Sequence, residues 1–347
     1  MTRTFGITRP ARSAPGATTR LAALAVVATV ALAGCSTTPD RESRPTITPA
    51  QPAVAPEPTT APAGSVTPAD AGEGLAFDPV SRRLAAIVGN EVIVYSVDGG
   101  LKEVGRIPTE NRPNQVAAFA KGPGFIVATR NAVVTIGADP ASPTTIKVDG
   151  DVVSAASYPY DGKYVLAGLA DGRILPLEAS GAPNPKAING PVEASKVLAS
   201  GSDVVVVDRL QSSITQVDVA GGKIGKGLRV GRGITNATIT PDGRVFAVDT
   251  GKNQVIGYTA APLMEKFLYP EPGSPWAVGY DATDKLMWVT RTATNEVVGY
   301  ALGSGIPEQR KLFATVRQPN AIAVDDKTGT VYVQSATGAG IQAIPTR

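Results

Sequence analysis

Histidine is absent from all 347 residues, and cysteine occurs once. The first absence removes the commonest general base, the partner of a serine nucleophile and the usual zinc ligand. The second leaves no thiol pair for a disulfide and no cysteine cluster for a metal. Aromatic residues are only 5% of the chain, while Gly (37) and Pro (29) are plentiful. That balance suits short strands and turns better than long helices. Acids are scattered: Asp78, Asp161, Asp242, Asp281 and Asp325 stand in turn-like phrases, where Asp bonds its own backbone. Asp208 and Asp249 end apolar runs without a paired carboxylate near them in sequence. No catalytic residue, metal site or cofactor is assigned. The formal charge of +3 does not indicate nucleic-acid binding. Four of the 33 basic residues (Arg3, Arg9, Arg12, Arg20) precede Cys35 and none of the 30 acids does, which leaves 29 against 30 and a net charge of −1.

Those arginines precede an apolar run at residues 21–32, too short to span a bilayer comfortably but suited to a signal-peptide core. It ends in "LAGC" (residues 32–35), which resembles a bacterial lipobox. The resemblance implies a signal peptide at 1–34, lipidation of Cys35 and attachment to the outer side of the cell membrane. The competing reading is an apolar N-terminal helix with an incidental Cys. Residues 35–68 are dominated by Pro, Thr, Ala and Ser. Such a composition buries too little apolar surface to order itself, so a flexible tether is expected there.

From residue 69 to 347 the chain repeats. Copies begin near Leu75, Ala117, Ala156, Lys196, Ala237, Ala277 and Ala321, at intervals of 39 to 44 residues. Each copy has an apolar run, a turn such as "TPDGR", a β-rich run such as "VFAVD" and a third run such as "QVIGY". Several add a fourth. Four strands in about 40–45 residues is the signature of a β-propeller blade. The expected fold is all-β, a seven-bladed β-propeller, with a β-sandwich of coincidental spacing as the competitor. "ITPDGRVFAVDTGKNQVIGY" is similar to the YVTN and NHL-type propeller repeats. With the lipobox and the Ala/Val/Thr/Arg-rich usage, the chain also resembles the actinobacterial LppL-like propeller lipoproteins. These resemblances imply fold more firmly than activity.

The seventh copy is short, with about 27 residues from Ala321 to the end. It either remains three-stranded or borrows a strand from residues 61–68. Placed in register on the second strand, three copies carry Arg at the position after that strand: Arg130, Arg209 and Arg291. The loops leading into the innermost strands carry Arg112, Arg232 and Arg317, with Asn114, Asn236 and Asn320 beside them. In a propeller both sets face one mouth of the central channel, which Trp276 would join. Converging guanidinium groups suit phosphate or carboxylate. The alternative is solvated loop arginines paired with local acids such as Asp208 and Glu110. The expected function is a lipid-anchored extracytoplasmic binding or scaffold module. Its partner would be an envelope protein or an anionic ligand, and not a nucleic acid. A hydrolase or lactonase-like enzyme with its site in the channel is the alternative. The glycine-rich stretches at 221–227 and 338–342 lack the strand–loop–helix context of a phosphate loop.

Overall fold

The computed structural model describes residues 44–158, 164–178 and 186–347, with Met1 and Thr2. Two compact units are present, Met1–Asp40 and Arg41–Arg347, and the second carries the strands. The expected signal peptide, Cys35 and the turn residue Asp161 lie outside the described residues.

The strands form six antiparallel sheets arranged as a β-propeller. Five sheets have four strands. They are β2–β5 (Leu75–Asp78, Arg83–Val88, Glu91–Ser96, Lys102–Pro108) and β12–β15 (Lys196–Ser200, Asp203–Asp208, Ser213–Asp218, Lys223–Arg229). Next come β16–β19 (Ile234–Ile239, Arg244–Asp249, Gln254–Thr259, Met264–Pro270) and β20–β23 (Pro275–Asp281, Leu286–Arg291, Glu296–Ala301, Glu308–Ala314). The fifth is β24–β26 (Pro319–Asp325, Thr330–Ser335, Ile341–Pro345), completed by β1 (Ser65–Thr67). The remaining sheet has six strands, β6–β11 (Gln115–Ala118, Phe125–Ile136, Thr144–Ser157, Tyr164–Leu169, Arg173–Glu178, Ile188–Asn189).

Six sheets stand where seven separate blades are expected, which corrects the count. The cause is strand continuity. β7 runs through the second and third strands of one repeat copy, passing Asn131 in a left-handed conformation (φ 67°). β8 joins the last strand of that copy to the first strand of the next: its first half pairs with β7 and residues 152–157 pair with β9. The long sheet folds back on itself, so that Ile126, Ala128 and Val133 pack against Val165, Ala167 and Leu169.

Burial follows position within each sheet. Second strands are covered on both faces, as in "RLAAIV" and "VVVVD", so they read as continuous apolar runs, and third strands such as β4 and β18 follow them. Outermost strands such as β15 face solvent along most of their length. Neighbouring sheets share apolar clusters; Val205, Val207 and Ile214 of one pack on Val245, Ala247 and Ile256 of the next. Each fully buried Val or Ile contributes roughly 1.5–3 kcal/mol. Local chemistry fits the design. Gly243 closes the "TPDGR" turn at φ 77°, a region that β-carbon sterics deny to most residues. Gly299 lies under the Trp288 ring, where an added β-carbon would come within 2.8 Å of the indole.

The ring closes by the borrowed-strand route. β1 pairs with β26, Ser65 opposite Ala343 and Thr67 opposite Ile341. The buried Gln342 amide donates to Ala63 O (2.6 Å) and Ala314 O (3.0 Å) and accepts from Val316 N (2.9 Å).

The N-terminal stretch departs from the free tether expected up to residue 68. Residues 44–57 lie across the loops of successive sheets. Arg44 donates to Gly190 O (3.2 Å) and Ile47 N to Leu210 O (2.7 Å). Ala53 N donates to Ser274 Oγ (2.9 Å), Ala55 N to Gln318 Oε1 (2.8 Å) and Asn295 Nδ2 to Pro56 O (2.9 Å). Composition alone misleads here. An extended Pro-rich strap cannot make a core, yet its carbonyls and remaining N–H groups bond well to loops that are already fixed. Ala55 is buried among them.

Candidate functional site

The innermost strand segments surround a central cavity of about 390 Å³. Their side chains are mostly small or aliphatic. Lys196, the first residue of β12, is the single charged residue among those described that line it. Lys196 retains some accessibility because it faces the cavity, but protein surrounds it. Its Nζ donates to Asn236 Oδ1 (2.5 Å) on β16. Burial, with a further push from the positive charge of Arg209, lowers the ammonium to about 8.

Arg209 follows β13 and stands beside Lys196 through the sheet register: Lys196 pairs with Val207, and Arg209 N donates to Ser195 Oγ (2.9 Å). Its guanidinium passes the neighbouring sheet and stacks on Trp276 of β20, with Cζ 5.7 Å from the ring centroid. One Nη donates to Ala50 O of the strap (3.1 Å). The Nε–H is buried and has no partner among the described residues. Burial lowers the Arg209 pKa, an effect opposed by the charges of Glu193 and Glu73. Both acids have other bonds. Glu193 accepts from Ser195 Oγ (2.5 Å), and Glu73 accepts from Asn320 Nδ2 (3.1 Å).

Of the residues singled out by sequence, Arg209 meets Trp276, Asn236 accepts from Lys196, and Asn320 donates to Glu73. The others are placed differently. Arg291 is held by an ion pair with the buried Glu271, which follows the last strand of the preceding sheet, and it also donates to Tyr300 Oη (2.9 Å) of its own sheet. Burial pushes the Glu271 carboxyl up despite these donors. Arg317 grips the strap through Ala55 O (3.2 Å) and Glu57 (2.5 Å). Asn114 donates to Val152 O (2.7 Å). Arg112, Arg130 and Arg232 are exposed, with no ion pair among the described residues. A ring of six converging arginines is thus not what the structure brings together; one arginine spans the mouth.

Sequence reasoning missed Lys196, Glu73 and the strap. A signal for Lys196 was present. Among the seven residues that start the repeat copies it is the only charged one, at a position that faces the channel.

The turn acids have a structural role. Asp78, Asp208, Asp249, Asp281 and Asp325 are fully buried. Asp208 accepts from four backbone N–H groups: Val192 (2.8 Å), Glu193 (3.3 Å), Leu210 (2.8 Å) and Gln211 (3.1 Å). Asp281 accepts from Thr283 N and Asp284 N, both at 2.9 Å. Among the described residues no group of three or more Asp, Glu, Cys or His is placed to hold a metal ion.

A chain of Kuenenia stuttgartiensis hydrazine synthase is similar in fold, with a TM-score of 0.68 over 81% of this chain and 97% of that chain, at 14% identity. Matches extend to 1663 chains of known structure, so the likeness shows the propeller fold and no activity. No family model and no curated protein matches the chain. The resemblance to LppL-like lipoproteins rests on the sequence motifs alone.

Proposed function

We propose that this chain is a lipid-anchored, extracytoplasmic binding module that takes its ligand at the channel mouth. The observation that carries the reading is the pair of Arg209 and Trp276, which come from non-adjacent sheets and meet beside the inner strands that line the cavity. A propeller holds such a pair on rigid strands, so little ordering cost falls on binding. The "LAGC" phrase supports attachment through Cys35, which would hold the disc at the envelope.

Two experiments test the reading. Fractionated envelope extract is added to the full chain purified in detergent, and thermal unfolding is followed. At least one fraction should raise Tm by about 2 °C or more in wild type and not in Trp276→Ala. No fraction shifting wild type would overturn the binding role. For the anchor, Cys35→Ala should yield uncleaved precursor or soluble protein. A variant still processed and still detergent-dependent contradicts lipidation.

A further inference from the structure

Resting on that reading of the mouth, we infer that the Lys196–Arg209 end of the channel is a binding site for the carboxylate of a small, hydrophilic organic anion. Two half-buried cations stand near one another, Arg209 lying two residues beyond the Val207 that pairs with Lys196, and neither forms an ion pair among the described residues. Lys196 has three donors and uses one, on Asn236. Arg209 has an unpartnered buried Nε–H. Glu193 and Glu73 act on Arg209 through space, but neither carboxylate makes an ion pair with Lys196 or Arg209 among the described residues; they take bonds from Ser195 and Asn320. A buried cation without a counter-ion is costly. A carboxylate entering between the two would accept charge-assisted bonds from both.

The rest of the cavity sets the character of the ligand. Its volume, about 390 Å³, lies at the low end of small-molecule sites, roughly 300–1,000 Å³. Apart from β8, the strands around it lie at the edges of their sheets and turn one row of backbone N–H and C=O groups toward the channel; some such groups, as at Ala237 and at Ala155 of β8, are bonded by side chains. Such walls suit hydroxyl, amide or further carboxylate groups better than an alkyl tail. The strap closes over the arginine through Ala50 O, and the cavity lining continues to the far ends of the inner strands at Phe77, Ala199 and Val324.

The test is calorimetric titration of the full chain in detergent at pH 7 with acetate, succinate, citrate and inorganic phosphate. At least one carboxylate should bind wild type. Affinity should fall at least tenfold in Lys196→Met and in Arg209→Gln, and stay unchanged in Arg310→Gln, an exposed outer-strand control. Binding should also weaken as pH rises from 7 to 9.5, as Lys196 loses its charge in the presence of Arg209, Glu193 and Glu73. Circular dichroism checks the fold of each variant; Lys196→Met loses a buried charge, so it remains informative if Arg209→Gln unfolds. Phosphate binding alone would overturn the carboxylate assignment. So would carboxylate binding that neither variant weakens, or no binding by any probe. If extract fractions still stabilise wild type while every carboxylate fails, this site assignment falls and the binding-module reading stands.

Discussion

Asp208 and Arg209 stand side by side at the end of β13, and their polar atoms meet opposite surroundings. The carboxylate takes four backbone N–H bonds from two loops. The guanidinium keeps a buried N–H with no acceptor among the described residues. The contrast extends beyond this pair. At the inner hairpins, Asp78, Asp281 and Asp325 are buried and each is held by the backbone of its own turn. At the channel mouth, Lys196 and Arg209 are held apart from carboxylates. A buried charge that the chain itself satisfies belongs to the architecture, whereas one left short of partners points to something the chain receives. The difference predicts opposite responses to mutation.

Removing a satisfied carboxylate should have the largest effect. Asp208→Ala strands four N–H groups in a protein interior and should lower stability by about 3–5 kcal/mol, read by urea unfolding. Asp208→Asn keeps one acceptor oxygen and should lose less. Removing an unsatisfied cation should do the reverse. Lys196 is lowered from 10.5 in the unfolded chain to about 8 in the fold. Below pH 8 the native state holds a penalised charge. Between pH 8 and 10.5 the unfolded state binds more protons, so wild-type stability rises with pH in that window. Lys196→Met should therefore be more stable than wild type at pH 7, by about 1–3 kcal/mol. The advantage should fade by pH 10.5. A destabilised Lys196→Met at pH 7 would erase the contrast.

The strap sharpens the comparison from the mouth side. Deleting residues 46–55 removes the Ile47, Ala53 and Ala55 bonds and frees Arg209 from Ala50. Tm should fall, equivalent to about 1–2 kcal/mol, since each bond is worth about 1 kcal/mol net and the entropy cost of ordering the deleted segment, now absent, offsets part of the loss. An unchanged Tm would restore the free-tether picture. The smallest effect should come from Arg82→Gln. Burial pushes the Asp325 carboxyl up, but bonds from Arg82 and Thr328 outweigh it and hold the group below its ordinary value. Its contribution is present above about pH 4 and lost as pH falls through the folded value. Arg82→Gln should cost about 1 kcal/mol at neutral pH, because Thr328 and two backbone N–H groups still hold the buried carboxylate, and should move the acid limb of the stability curve to higher pH.

Much of the fold was legible because it is written locally. Turn phrases such as "TPDGR" and doubly buried runs such as "VVVVD" announce strands and hairpins without any knowledge of partners. The short last copy pointed to residues 61–68 as one of two ways to close the ring, and Ser65–Thr67 supplies that strand. The sheet count was not legible, because β7 and β8 continue through positions that read as breaks between strands. The mouth was half legible. Spacing placed Arg209 and Trp276 near the channel, but it could not show that Arg291 is held by Glu271, twenty residues upstream. Nor could it show that residues 44–57 bond to loops more than a hundred positions away. Such pairings depend on how the ring brings distant loops together, which local pattern does not encode.

In the reading proposed above, Lys196 is a half-buried cation placed to receive an anion. Nuclear magnetic resonance of the lysine Cε–Hε signals, with Lys196 assigned by comparison with Lys196→Met, measures this directly in a pH titration. The free protein should show a midpoint near 8 for Lys196. With saturating succinate or citrate the midpoint should rise by about one unit or more, because a bound carboxylate favours the charged amine. A midpoint at the ordinary lysine value, unmoved by either anion, would contradict the account.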